Sequence, residues 1–249
     1  EIDFTTEKVK MKPNDGENWK RMQDVYTSLL RHEIAKSYGL QFRTQTTNEQ
    51  IQFVASQNPI HPVREWLKNC TWTPEQPSLI DTWLTRFCGA PDTDLISAYG
   101  RKFLMSCIAR VMKPACQVDT VLILTGGQGT GKSTVFRELA VKPEWFRDSA
   151  LNVGGGRDAY SLLAGVWIYE FPELHQTRTR DAESVKAFIT SRHDSYRPAY
   201  AHYDVDVPRQ VVFVGTSNEK EILRDPTGSR RFMVVETGEI KTDELRQSV

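Results

Sequence analysis

The feature that most constrains this chain is a short apolar run ending in a glycine-rich octapeptide. Val121-Leu122-Ile123-Leu124 leads into Gly126-Gly127-Gln128-Gly129-Thr130-Gly131-Lys132-Ser133, and Thr134-Val135-Phe136-Arg137-Glu138-Leu139-Ala140 then reads as a helix. The octapeptide fits GxxxxGK[ST] in the strand, loop and helix context that gives that pattern meaning. A loop of this kind must leave a buried strand and open a helix, so it commits the neighbouring chain to a layered α/β fold of P-loop NTPase type. Glycines let successive backbone N–H groups turn inward, and the helix N-terminus adds its positive dipole end, so the loop can wrap an anion. Residues 126–134 are therefore the expected ATP contacts. Lys132 is expected to reach the β- and γ-phosphates, and the Ser133 hydroxyl to coordinate Mg2+. An ordinary glycine-rich turn would need none of the flanking strand and helix.

Such a loop calls for a carboxylate at the end of a neighbouring buried strand. Gly165-Val166-Trp167-Ile168-Tyr169-Glu170-Phe171-Pro172-Glu173 supplies two. Glu170 stands where the apolar run ends and is the expected metal-side acid, with Glu173 three residues on; one would serve the water shell of the metal and the other activate the attacking water. Either could instead be a solvated residue opening the next helix. A third run, Val211-Val212-Phe213-Val214-Gly215-Thr216-Ser217-Asn218, ends in small polar residues, and Asn218 is expected either to orient the nucleophilic water or to form an Asx turn. Arg230 and Arg231 precede a last strand at Phe232 to Val235. Arginines there can stabilise charge developing on a γ-phosphate, often from a neighbouring subunit, or form a surface ion pair.

The first 116 residues have a different texture. Apolar residues at helical spacing run from Asn18 to Tyr38, stopped by Gly39; Thr47 and Gln50 form a capping-box pattern; further helices are predicted near residues 63–67, 79–87 and 94–112. No strand alternation is visible, so residues 1–116 read as an N-terminal all-helical region and 117–249 as the P-loop ATPase core, closed by a polar tail. The 32 basic and 32 acidic side chains cancel, so any nucleic-acid surface has to be local. The four cysteines lack CxxC spacing, arguing against zinc and a disulfide framework. No apolar run approaches the roughly 20 residues of a membrane helix. A chain opening at Glu1 is expected to be a piece of a longer protein.

In order, the motifs resemble the virulence-associated protein E family of phage, prophage and mobile-element proteins. The likeness is carried by His61-Pro62-Val63-Arg64-Glu65-Trp66-Leu67, Gly100-Arg101-Lys102-Phe103-Leu104, Ala109-Arg110-Val111, and the octapeptide with its preceding Val118-Asp119-Thr120. It continues through Glu170 and Glu173, Lys186-Ala187-Phe188-Ile189-Thr190, Asp194-Ser195-Tyr196-Arg197-Pro198-Ala199-Tyr200, Pro208-Arg209-Gln210, and Arg224-Asp225-Pro226-Thr227-Gly228-Ser229-Arg230-Arg231-Phe232. It spans about residues 55–236. The resemblance implies an AAA+-like motor of superfamily 3 helicase type: a homo-oligomeric ring, usually a hexamer, hydrolysing ATP with Mg2+ between subunits to move along single-stranded or forked DNA. A primase in the same polypeptide or operon, and the cytoplasm of a bacterial host, come with it. The spacing of Glu170 and Glu173 departs from the adjacent acids usual in AAA+ motors. Superfamily 3 enzymes carry a DNA-gripping hairpin between acid strand and sensor strand, which would fall within residues 186–209. Lys186, Arg197, Tyr200 and His202 there mix cations and aromatics suited to phosphate contact and base stacking, although the tyrosines could equally pack on the sheet. The competing expectations are a DNA-stimulated ATPase acting as initiator or regulator, and a P-loop small-molecule kinase.

Overall fold

The computed structural model describes residues 2–3, 8–11, 20–21, 23–149, 157–171, 179–197, 203–218 and 231–249. They fall into two units, Glu1–Asn69 and Cys70–Val249. The first unit departs from the all-helical expectation. Strands β1 (Ile2–Asp3), β2 (Lys8–Met11) and β3 (Lys20–Arg21) precede helices α1 (Asp24–Tyr38) and α2 (Thr44–Ser56), then β4 (Pro59–Ile60) and α3 (Pro62–Asn69). The strands form one sheet in the order β3-β2-β1-β4. Strands of two to four residues are too short to leave a readable alternation. Gly39 ends α1 in the left-handed conformation, φ 68°, as its position predicted. Thr47 does not open a helix as a cap: α2 begins at Thr44, and the Thr47 hydroxyl donates back to the Arg43 carbonyl at 3.1 Å from inside the first turns.

The second unit begins with α4 (Trp83–Cys88) and α5 (Asp94–Met112). Thr93 caps α5, its hydroxyl accepting from the Ile96 N–H. Then follow β5 (Val121–Thr125), α6 (Lys132–Leu139), β6 (Phe146–Arg147), α7 (Arg157–Leu163), β7 (Ile168–Phe171) and α8 (Thr179–Thr190). A hairpin of β8 (His193–Tyr196) and β9 (Val205–Pro208) leads to β10 (Val212–Ser217), β11 (Phe232–Glu236) and α9 (Thr242–Ser248). The five-stranded sheet has the order β11-β5-β10-β7-β6 and is parallel throughout. The expected break at residue 116 is not where the chain divides. Helices α4 and α5 belong with the sheet: the Phe103 ring lies 6.0 Å from Phe136 of α6, and the Trp167 indole N–H donates to the Cys107 carbonyl at 2.9 Å.

Parallel strands connected by crossovers are covered on both faces, which is why β5, β7 and β10 are apolar and buried along their length. One face presents Val121, Ile123, Tyr169, Phe171 and Phe213 to Leu163 of α7 and to Val185, Phe188 and Ile189 of α8, with the Phe171 and Phe188 rings tilted against Phe213 at 5.2 and 5.6 Å. Alternation turns Leu122, Leu124, Glu170, Val214 and Thr216 to the other face, where α6 packs. The expected polar tail is instead helix α9. It buries Leu245 and ties Arg246 to Glu138 of α6 at 2.7 Å. No helix among the described residues is long and apolar enough to cross a membrane.

Candidate functional site

The carboxyl ends of β5, β7 and β10 meet at one edge of the sheet, and the loop 126–131 joins β5 to α6 there. Gly129 and Gly131 hold φ of 75° and 93°, values that side-chain-bearing residues rarely adopt, and Gly131 caps α6, its carbonyl receiving the Val135 N–H at 3.1 Å. The Lys132 ammonium folds back over the loop. It donates to the carbonyls of Gly126 (3.0 Å) and Gly127 (2.6 Å) and to the Asn218 Oδ1 (3.1 Å). Burial lowers its pKa, and the Glu170 charge opposes that shift. Thr130 closes the turn by donating to the Gly127 carbonyl.

Glu170 is 1% exposed. Register sets it beside Val214, so Thr216, two residues on, shares its face; from α6 Ser133 reaches it as well. Both hydroxyls donate to the same Oε1 atom, Thr216 at 2.6 Å and Ser133 at 2.7 Å. The other oxygen, Oε2, is buried and has no hydrogen-bond partner among the described residues. Desolvation raises the Glu170 pKa; the two hydroxyl donors pull it down, the Asp148 charge adds to the rise, and the Arg137 charge opposes it. A hydroxyl, a carboxylate with a vacant oxygen and a lysine over a ring of backbone groups make a hard-oxygen, anion-facing constellation. No group of three or more His, Cys, Asp or Glu side chains capable of holding a metal exists among the described residues.

The segment after β11 forms a wall of the loop. Thr237 donates to the Thr125 carbonyl through both its N–H (2.8 Å) and its hydroxyl (2.9 Å), and Ile240 and Thr242 lie against Gly131. The Gly238 and Lys241 N–H groups bond to the Cys88 and Phe87 carbonyls at the end of α4.

The fold thus gathers residues 126–134 with Lys132, Ser133, Glu170 and Asn218. It does not bring Arg231 to them. Phe232 pairs with Val121 and Glu236 with Thr125, so Arg231 stands at the amino end of the sheet, about 20 Å from the loop at some 3.3 Å per residue. Glu173, Arg230, Tyr200 and His202 lie outside the described residues. Lys186 is corrected: it sits on α8 at 6% exposure, among Val185, Phe188 and Ile189, and so is not on an exposed DNA-facing surface. Arg197 is exposed just beyond β8 and pairs with Asp204 across the hairpin at 2.8 Å. The sequence reading missed Thr216, whose place two residues after Val214, on the same face of a buried strand, was the available signal.

The hairpin is anchored by buried charge. Arg209 is fully buried against Asp194 with its Nε at 3.0 Å from Oδ1, bonds the Phe188 carbonyl, and lies over the Phe188 ring at 4.6 Å. Arg110 of α5 donates to the carbonyls of Val118 (3.0 Å) and Arg209 (3.4 Å), and burial pushes its pKa down to about 10. Arg192 donates to the Ala115 carbonyl at 2.8 Å.

Comparison with curated proteins finds no match. The A form apo structure of the NrS-1 C-terminal region is similar over 99% of this chain and 62% of that one, with a TM-score of 0.58 and 16% identity. A further apo structure of the same region gives 0.58 and 16% over 99% of this chain and 63% of that one. At that identity the likeness speaks to the fold, and the chain spans under two thirds of those structures' length. The family model described as the virulence-associated protein E-like domain matches residues 67–249, and the chain belongs to that family.

Proposed function

We propose that the chain is the ATP-dependent motor of a DNA helicase or translocase of superfamily 3, AAA+-like type, serving replication of a phage or mobile element. The observation that carries this is the meeting of Lys132, Ser133, Glu170, Thr216 and Asn218 around the 126–131 loop, at the carboxyl edge of a sheet ordered β11-β5-β10-β7-β6. The residues present fit ATP with Mg2+. Mg2+ takes one or two protein oxygens beside substrate phosphates, and the Ser133 hydroxyl with the unpartnered Glu170 Oε2 is such a set. Lys132, satisfied by backbone carbonyls of the loop, can exchange those acceptors for phosphate oxygens.

In this reading Ser133 and Glu170 would hold Mg2+, which supplies charge neutralisation at the β- and γ-phosphates. Asn218 orients the attacking water, and Glu170 or Glu173 accepts its proton. Position at the far end of its own sheet suits Arg231, with Arg230, to serve the site of the next subunit in a ring rather than its own. The β8–β9 hairpin, continuous with β10 and hence with Asn218, is the candidate contact for single-stranded or forked DNA through Arg197, Tyr200 and His202. The test is steady-state ATP hydrolysis by the wild type and Lys132→Ala, with and without single-stranded DNA, alongside strand displacement on a forked duplex. DNA-stimulated hydrolysis with displacement supports the motor, and stimulated hydrolysis without displacement supports the initiator or regulator. No hydrolysis of any nucleotide would defeat both.

A further inference from the structure

Beside Glu170 stands a carboxylate to which the sequence assigned nothing. Strand β6 is two residues long and left no periodic signal, but it pairs with β7 in a defined register: Phe146 with Ile168 and Arg147 with Tyr169. Continued one residue past the end of β6, that register sets Asp148 level with Glu170. Adjacent parallel strands lie about 4.8 Å apart, and residues in register project to the same face. For Glu170 that face is the one occupied by Ser133 of α6, and the Asp148 side chain turns the same way, since its Oδ2 meets Arg137 of α6 at 3.2 Å. Ser133 and Arg137 are four residues apart, on one side of that helix. Asp148 and Glu170 are therefore neighbours beneath the same helix face, and the Asp148 charge adds to the rise of the Glu170 pKa.

The position is fixed through the backbone. The Tyr169 hydroxyl donates to the Ser149 carbonyl at 2.6 Å, which pins the chain one residue beyond Asp148. The Arg137 guanidinium lies over the Phe146 ring at 5.5 Å while it pairs with Asp148. Yet the pair is half exposed, 50% for Arg137 and 51% for Asp148. Exposed ion pairs of this kind contribute little to stability. An anchored acid that adds little to the fold, next to a buried carboxylate with one vacant oxygen, is arranged for a ligand.

We propose that Asp148 is a positioning residue of the nucleotide site, accepting hydrogen bonds from the water shell of the divalent cation beside Glu170, its place set by the backbone anchor at Ser149 rather than by the exposed pair with Arg137. This rests on the reading of the loop as an ATP and Mg2+ site. Carboxylates that bind a metal's waters rather than the metal itself change its affinity on the order of ten-fold when neutralised.

The experiment titrates Mg2+ into the full chain with a fluorescent ATP analogue and reads the half-saturating Mg2+ concentration, for wild type, Asp148→Asn, Arg137→Gln and Lys132→Ala. Thermal melts without nucleotide accompany it. Asp148→Asn and Arg137→Gln remove the same ion pair, so a strut between β6 and α6 predicts equal effects from both. The proposal predicts matching melting temperatures for the two, a rise on the order of ten-fold in half-saturating Mg2+ for Asp148→Asn, and less than a two-fold change for Arg137→Gln. Unchanged Mg2+ dependence in Asp148→Asn, or equal shifts in both variants, would overturn it while leaving the ATP site standing. Wild-type protein that bound no nucleotide at any Mg2+ concentration would overturn both.

Discussion

Glu170 is the residue at which stability and activity are expected to conflict, and Glu170→Gln separates them. In the free protein Oε1 receives two hydroxyl donors while Oε2 is buried with none among the described residues. A buried polar atom without a partner costs about 1–3 kcal/mol and more when it is charged; a glutamine of the same shape keeps Oε1 as acceptor for both hydroxyls and puts a neutral amide where Oε2 stood, so it removes the excess due to the charge, taken as of the same order. The pH dependence follows from the direction of the shift. Burial raises the folded-state pKa above the ordinary carboxylate value, so the native state holds the proton more tightly than the unfolded chain. Wild-type stability then falls as pH rises from the unfolded carboxylate pKa through the raised native one, and is level above it. Glu170→Gln has no such loss. Its advantage is therefore near zero at pH 4, grows through the raised pKa and stays constant beyond, reaching about 1–3 kcal/mol, or roughly 2–10 °C in Tm for a unit of this size. The assay is thermal unfolding in EDTA without nucleotide from pH 4 to pH 8, paired with single-turnover ATP hydrolysis, expected to fall by about 10²- to 10⁴-fold. A variant melting at or below wild type at pH 8, or offset equally at all pH, would refute the reasoning.

Four further outcomes follow from the geometry. Asp194→Ala leaves the buried Arg209 without its carboxylate beside Arg110, and should cost about 3–5 kcal/mol in urea unfolding; Arg197→Ala, at the exposed end of the hairpin, should leave unfolding unchanged and weaken single-stranded DNA binding by fluorescence anisotropy. Gly89 holds φ +60°, and a Cβ there would lie 2.7 Å from the Glu239 backbone nitrogen, so Gly89→Ala should cost at least about 1–2 kcal/mol and loosen the wall of the loop, read as a lower Tm with weaker ATP binding. Arg231→Ala and Lys132→Ala proteins, each inactive alone, should recover ATP hydrolysis when mixed, because the mixed interfaces pair an intact Lys132 with an intact Arg231; no recovery at any ratio would exclude action between subunits.

Much of the sheet was legible because its strands are buried on both faces and written as continuous apolar runs at 121–124, 166–169, 211–214 and 232–235. The loop was legible because its glycines and Lys132 are contiguous. Helix α5 was read at its observed bounds, since Thr93 caps it and Pro114 follows its end. What failed were features whose signal is short or non-local. Strand β6 has two residues, and its neighbour Asp148 acquires meaning only from pairing with β7. Thr47 looked like a cap because hydroxyls serve equally well at N-termini and in back-bonds to i−4 carbonyls. Lys186 looked like a surface cation by composition, but the α8 face it shares with Val185 and Ile189 turns it inward. The break expected at residue 116 followed a change of texture, whereas α4 and α5 bury their apolar faces in the second unit.

The central claim is that residues 126–133, through Lys132, hold a nucleoside triphosphate with Mg2+. Isothermal titration of a non-hydrolysable ATP analogue into the wild type and Lys132→Ala, each in Mg2+ and in EDTA, tests it most directly. The account predicts saturable binding by the wild type that weakens in EDTA, and loss of most of that affinity in Lys132→Ala with an unchanged melting temperature. Equal binding by the two proteins, or no binding by the wild type, would contradict it.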